Sequence, residues 1–280
     1  MSVVRRYPLI VFFVLAYVFS WWPWPLYAFG LSPSPIIAFG PFLAAILVLA
    51  LTTGKGGVVT LLRRMVRWRV RPVWYAVALL LPVAISGGAA LLNVVVLGAS
   101  APSPAELGAW SGLVPTFFLR LLVPGIGGAW EEPGWRGYAL PKLQGGHSAL
   151  LASLILGVVW AFWHLPLMVI GQIHFSDAVF IVAWTVVLTW VFNNTNGSVL
   201  IAMLMHNTHN VISGDYFSAM FSGADWVRQG WLLVALWCAV AAIVVVVNGP
   251  EHLSRKYTRQ TLTPPETSAP PLGWSDPDRE

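Results

Sequence analysis

The sequence predicts an all-α fold, a polytopic transmembrane helical bundle of about eight helices with cytoplasmic N- and C-termini. Three observations carry that prediction. Hydrophobic residues make up 57% of the 280-residue chain and charged residues only 10%, with a mean hydropathy of +0.72; a soluble domain carries roughly a quarter charged residues. The apolar residues arrive in blocks near the ~20 residues that cross a bilayer as a helix. The cations fall between those blocks, where topology determinants belong.

Taken in order, the blocks lie at about 8–29, 34–53, 73–98, 109–130, 149–171, 178–193, 198–213 and 230–248. The first follows Arg5 and Arg6 and reads as a signal anchor, being too long for the apolar region of a signal peptide. If the N-terminus is cytoplasmic, the cytoplasmic segments hold Arg5, Arg6, Lys55, Arg63, Arg64, Arg67, Arg69, Arg71, Lys142, Arg255, Lys256, Arg259 and Arg279. Only Arg228 then falls in an outside loop, with Arg120 and Arg136 within or beside spans. This asymmetry sets the expected orientation.

Between the second and third blocks, "KGGVVTLLRRMVRWRVR" (55–71) interleaves cations with apolar residues. It reads either as an amphipathic stretch on the cytoplasmic membrane surface or as a solvated basic loop. Tryptophans at block ends, such as Trp21, Trp22, Trp24, Trp226 and Trp231, read as interfacial anchors. The Pro-rich tail 262–280 is expected to be disordered, leaving 1–261 as the membrane domain. Cys238, the sole cysteine, cannot form an intrachain disulfide. The isoelectric point near 9.7 would point to nucleic acid in a soluble protein. Here the cations serve topology instead, and no nucleic-acid partner is expected. The chain is expected in the cell (plasma) membrane, although an endoplasmic-reticulum membrane fits the same topology.

Ionisable groups inside a membrane cost a few kcal/mol each or more, so they point to function by default. Three clusters stand out: "EEPGWR" from Glu131 to Arg136, His164 in "WAFWHLP", and "HNTHN" from His206 to Asn210. Glu132 and Arg136 are four apart, the favourable order for a helical ion pair. Pro133 bends the chain between them, which lets Glu131 turn inward. Trp160 stands one turn before His164, where its ring can pack beside the imidazole, and His206 and Asn210 share a helix face. Each cluster alone has a structural explanation, as a helix-end ion pair or as interhelical hydrogen bonding. Together, a carboxylate, two imidazoles and an amide supply what water activation and oxyanion stabilisation require.

The order Glu131-Glu132-x-x-x-Arg136, Trp160-x-x-x-His164 and His206-x-x-x-Asn210 resembles the CPBP family of intramembrane proteases over roughly residues 109–215. These are the CAAX-processing and bacteriocin-processing (Abi) proteins, which include the type II CAAX prenyl endopeptidases. One departure is Trp160, where the family more often has Phe. The resemblance implies an intramembrane endopeptidase acting on a membrane-associated protein or peptide in the bilayer. Glu131 would activate water together with His164, while His206 and Asn210 would stabilise the oxyanion and Glu132 and Arg136 would brace the site. That chemistry is expected at the cytoplasmic end of the fourth span. It implies no cofactor; the alternative is a Zn2+ held by Glu131, His164 and His206, with His209 as a fallback ligand. The competing function is a non-catalytic membrane scaffold or self-immunity protein of the same fold. A transporter is the weaker third reading, because the two halves show no repeat.

Overall fold

The structure is a computed structural model that describes residues 3–102 and 110–254, and among these residues it is helical with no strand. The tail expected to be disordered lies outside the described residues. The main helices are α1 (Pro8–Trp21, continued by a short helix Pro23–Ala28), α2 (Gly40–Thr52), α3 (Gly54–Met65), α4 (Pro72–Val95) and α5 (Leu113–Leu122). They continue as α6 (128–144), α7 (Ala149–Trp163), α8 (Asp177–Asn194), α9 (Val199–His209) and α10 (Gly223–Asn248). Four stretches, Pro8–Ala28, Pro72–Val95, Asp177–Asn194 and Gly223–Asn248, are long and apolar enough to cross a membrane, with shorter apolar helices at α2, α5 and α7. The protein is an integral membrane protein.

The helices run between two ends of different character. At one end, Ser198 Oγ donates to the Arg67 carbonyl, Arg64 to the Gly137 carbonyl and Arg5 to the Leu51 carbonyl. Asn193 and Asn194 there donate to the carbonyls of His252 and Leu253, and the Ala149 amide to that of Glu251. This basic end collects Arg5, Arg6, Lys55, Arg63, Arg64, Arg67, Arg69, Arg71 and Lys142. The opposite end gathers 34–38, 123–127, 165–176 and 210–226. Stretch 55–71 is not a loop: α3 covers most of it and buries only Leu61.

The fourth block departs from expectation. A continuous span across 109–130 is broken, because α5 stops at Leu122 and helical turns resume only at Gly128. Val123 is extended ahead of Pro124, as the clash with a proline ring requires. Gly125 follows at φ +90°, a conformation that side chains disfavour. The two carboxylates therefore begin a helix rather than end one. From Glu131, α6 runs about 20 Å to Gln144 at the basic end, at 1.5 Å per residue. Its irregularity has a local cause. Pro141 has no N–H for the Gly137 carbonyl four residues back, and Arg64 donates to that oxygen instead at 3.1 Å. The turn Trp135–Ala139 widens into a π-helix just before it.

Packing around α8 fixes the site's framework. Eleven of its eighteen residues are buried, and such all-round burial marks an interior helix. Against it, α7 presents Ala149, Ser153 and Gly157 at four-residue intervals. A Cβ on Gly157 would lie 2.9 Å from Val182 Cα, so the two backbones are nearly in contact. Ser153 Oγ donates to Thr189 Oγ1 at 2.8 Å across the same seam. Small residues and hydroxyl pairs are how helices associate where water provides no hydrophobic drive.

Gly134 sits against Pro41 of α2, where an added Cβ would meet the Pro41 carbonyl group at 2.5 Å. Gly134→Ala is expected to destabilise the fold by about 1–3 kcal/mol through overpacking. Its midpoint of thermal unfolding in detergent checks this, and an unchanged midpoint would contradict so close a contact.

Candidate active site

The site is assembled around a guanidinium. Arg136, fully buried on α6, holds Glu132 through Nη1 to Oε1 and Nε to Oε2, both at 3.2 Å. Its Nη2 donates to Thr185 Oγ1 of α8 at 3.3 Å, and its Cζ lies over the Trp160 ring, 4.1 Å from the centroid. The expected Glu132–Arg136 pair thus forms. The chain sequence does not reveal the third member: His206 Nδ1 lies 2.7 Å from Glu132 Oε1. With Glu132 ionised, Nδ1 carries the proton and donates it, which turns Nε2 of His206 away from the carboxylate. Glu132 is therefore a bridge between Arg136 and His206, not a partner of Arg136 alone.

Glu131 faces a different neighbour. Its Oε2 accepts the indole N–H of Trp160 at 2.7 Å. This gives the Trp160 departure a physical content, since phenylalanine would fill the space but has no N–H to offer. The Trp160 ring also contacts both imidazoles, with centroids 5.6 Å from His164 and 5.5 Å from His206. His164 follows the last turn of α7, with Pro166 two residues on. Its Nδ1 lies 2.9 Å from the Trp160 carbonyl. A carbonyl only accepts, so Nδ1 holds the proton and Nε2 of the neutral ring is left with its lone pair.

Gly128 completes the arrangement. A Cβ there would lie 2.5 Å from His206 Nε2 and 2.7 Å from Asn210 Nδ2, so only glycine lets the chain pass over the tips of both side chains. Asn210 begins the π-helical turn Asn210–Phe217 that continues α9. Glu131, His164, His206 and Asn210 all line one cavity of about 550 Å³ with Ser34, Ile36, Arg120, Gly127, Gln172 and Asp215. A neighbouring cavity of about 360 Å³ shares His164, His206 and Asn210 and extends to His209, Asp177 and Trp226. His209, expected as a packing residue or fallback ligand, stacks on Phe180 with centroids 4.7 Å apart and meets Ser213 Oγ through Nδ1 at 3.0 Å. Its ring forms part of the second cavity's wall.

The cavity opens away from the basic end. Its lining residues come from the 34–38 loop, the 123–127 break, the segments after α7 and α9, and Arg120, Gly128, Glu131 and His206 on α5, α6 and α9. A fourth span ending at residue 130 would put the site at a helix end. With α6 running on to Gln144, the carboxylates stand near the start of α6 instead of at the end of a span.

The fold and site together define a helical membrane protein with a carboxylate, two imidazoles and an amide in one polar cleft. Residues 110–212 match the family model of the Rce1-like type II CAAX prenyl endopeptidases. A CAAX prenyl protease 2 from Methanococcus maripaludis is 30% identical over 105 residues, covering 33% of this chain and 37% of the relative. Over this site-bearing segment the chain is similar to the CAAX proteases, and it spans little more than a third of the relative's length.

Removing one partner from a buried ion pair costs about 3–5 kcal/mol. Glu132→Gln is therefore expected to lower the thermal midpoint in detergent strongly, because Arg136 keeps its charge without a carboxylate. Adding Arg136→Met should recover part of the loss. A double variant no more stable than Glu132→Gln would show that the pair does not hold the helix start.

Proposed function

We propose that the protein is an intramembrane endopeptidase that hydrolyses a peptide bond of a membrane-associated protein or peptide, by CAAX-type processing or a related cut. The observation that supports this best is the convergence of Glu131, His164, His206 and Asn210, from three separate segments, on one cavity. The matching segment of a relative named as a CAAX prenyl protease agrees with it.

In the proposed reaction a water held between Glu131 and the Nε2 lone pair of His164 attacks the scissile carbonyl carbon. Glu131 takes its proton as general base, with Trp160 N–H steadying the other carboxylate oxygen. Negative charge then grows on the carbonyl oxygen, where Asn210 Nδ2 and His206 donate hydrogen bonds. Because Nδ1 of His206 is committed to Glu132, donation from Nε2 requires an imidazolium, whose charge Glu132 balances. Collapse of the tetrahedral intermediate breaks the C–N bond, and the departing nitrogen takes the proton from Glu131. The products are a carboxylate and an amine.

No step passes through a metal. The alternative is a zinc set of Glu131, His164 and His206, which a chelator test distinguishes. The cavity-facing groups act here as base and hydrogen-bond donors.

In a cleavage assay with purified protein, Glu131→Gln and His164→Ala are expected to lose activity by about 10²–10⁴-fold, the usual contribution of a general base. Chelator should leave the wild-type rate unchanged. Full cleavage by either folded variant overturns the assigned roles of Glu131 and His164, no cleavage by the wild type favours the scaffold reading, and chelator inhibition reversed by zinc favours the metal set. Trp160→Phe keeps the aromatic packing but removes the N–H held by Glu131. It is expected to shift the pH–rate profile while the thermal midpoint changes little, and an unmoved profile would limit Trp160 to packing.

A further inference from the structure

The proposed reaction uses His206 and Asn210 of "HNTHN" and leaves His209 without a task, although its surroundings hold it in one orientation. Its ring lies nearly parallel to that of Phe180, with centroids 4.7 Å apart, and Trp184 and Trp237 flank it at 5.0 and 6.2 Å. None of these rings offers a counter-ion, and an uncompensated charge among them would be costly, so the imidazole is neutral. A neutral imidazole has one N–H donor and one lone pair.

A chain of hydroxyls decides which nitrogen holds which. Ser86 Oγ on α4 donates to the Pro82 carbonyl at 2.7 Å, and a carbonyl only accepts. A hydroxyl has a single proton, so the contact between Ser86 Oγ and Ser213 Oγ takes its proton from Ser213. Ser213 then has none left for His209, whose Nδ1 stands 3.0 Å from the Ser213 oxygen and must donate. Nε2 therefore carries the lone pair. It has no hydrogen-bond partner among the described residues and is not one of the buried polar atoms that lack one, so it faces the cavity of about 360 Å³ that the ring helps to wall.

That cavity begins at the reacting groups, because it shares His164, His206 and Asn210 with the first. His209 follows His206 by three residues, about 4.5 Å of helix rise. This is close to the ~3.8 Å between consecutive Cα atoms of a substrate chain. A peptide whose scissile carbonyl oxygen reaches His206 and Asn210 thus carries a neighbouring amide N–H past His209. We propose that His209 is a substrate-binding residue whose Nε2 accepts the N–H of one peptide unit beside the scissile bond. A lone pair takes an N–H and rejects a carbonyl oxygen, so His209 fixes the register in which the peptide lies. The Ser86–Ser213 relay keeps it an acceptor. The binding role rests on the protease reading, whereas the tautomer does not.

The tautomer is read in the full chain in detergent by 15N NMR of histidine-labelled protein, with the His209 signals identified by their loss in His209→Phe or His209→Gln. A proton on Nδ1 and a lone pair on Nε2 are expected. A proton on Nε2, in the other tautomer or in an imidazolium, overturns the proposal. The binding role is read with a membrane-anchored peptide that the wild type cleaves. Each non-scissile amide near the cut is replaced in turn by an ester, which exchanges the N–H for an oxygen. One replacement is expected to raise KM about tenfold with little change in kcat, the mark of a hydrogen bond made equally in the ground and transition states. His209→Phe keeps the ring stacking and should raise KM for the parent peptide by a similar factor, while becoming indifferent to that replacement. His209→Gln, with an acceptor near the Nε2 position, should recover part of the loss. Sensitivity to the replacement that persists in His209→Phe overturns the proposal. So does an ester series to which the wild type is indifferent, a result that needs no variant to fold. Failure of the wild type to cleave any peptide counts against the protease reading and removes the binding role with it, while the tautomer is still judged by NMR.

Discussion

The interaction on which the site depends is the burial of one guanidinium. Arg136 has no access to solvent, and an uncompensated charge at that depth would cost more than a fold of this size can lose. Its surroundings answer that demand from several directions: the carboxylate of Glu132, the hydroxyl of Thr185 and the face of Trp160. Each partner belongs to a different position in the bundle. Satisfying Arg136 therefore fixes α6 against α7 and α8. Glu132 then extends the constraint to α9, because its Oε1 also holds His206. Trp160, placed by the guanidinium beneath its ring, is left with its N–H directed at Glu131. One buried cation thus determines where the groups facing the cavity can stand.

Two breaks in regular helix make the arrangement possible. The extended Val123 and the positive φ of Gly125 turn the chain between α5 and α6, so that Gly128 passes over His206 and Asn210. The π-helical turns at Trp135–Ala139 and Asn210–Phe217 change the rotation of the side chains that follow. Irregular backbone at membrane depth is tolerated where it is buried in protein or lines a cavity, and both conditions hold here.

Much of this was legible from spacing. An interval of four joins Glu132 to Arg136, Trp160 to His164 and His206 to Asn210, and such intervals are local properties of a helix. The apolar blocks likewise located the helices, since block length and helix rise are tied to one bilayer dimension. The contact between Glu132 and His206 was hidden because it spans 74 residues and depends on helix packing, which periodicity does not encode. The break inside the fourth block is hidden for a related reason. A run of apolar residues through 109–130 looks continuous, and only the Pro124–Gly125 step marked the turn inside it. Trp160 was noticed as a departure, but the direction of its N–H is a property of the rotamer that packing selects.

The shape of the cleft constrains any reaction conducted there. Hydrolysis would consume a water, and Leu140, Leu156, Leu188 and Phe192 are buried in the apolar core of the bundle. A separate groove bounded by Leu154, Val158, Phe162, Val179 and Val186 is almost wholly apolar and suits lipid rather than water. In the proposed reaction, water, peptide and polar product would pass the polar cavity wall that holds Arg120 and Asp215. A substrate that filled this cavity would also exclude bulk water, strengthening the hydrogen bonds to a developing oxyanion as the local dielectric falls. In the proposed reaction, entry of the peptide and retention of one water are then a single coupled step.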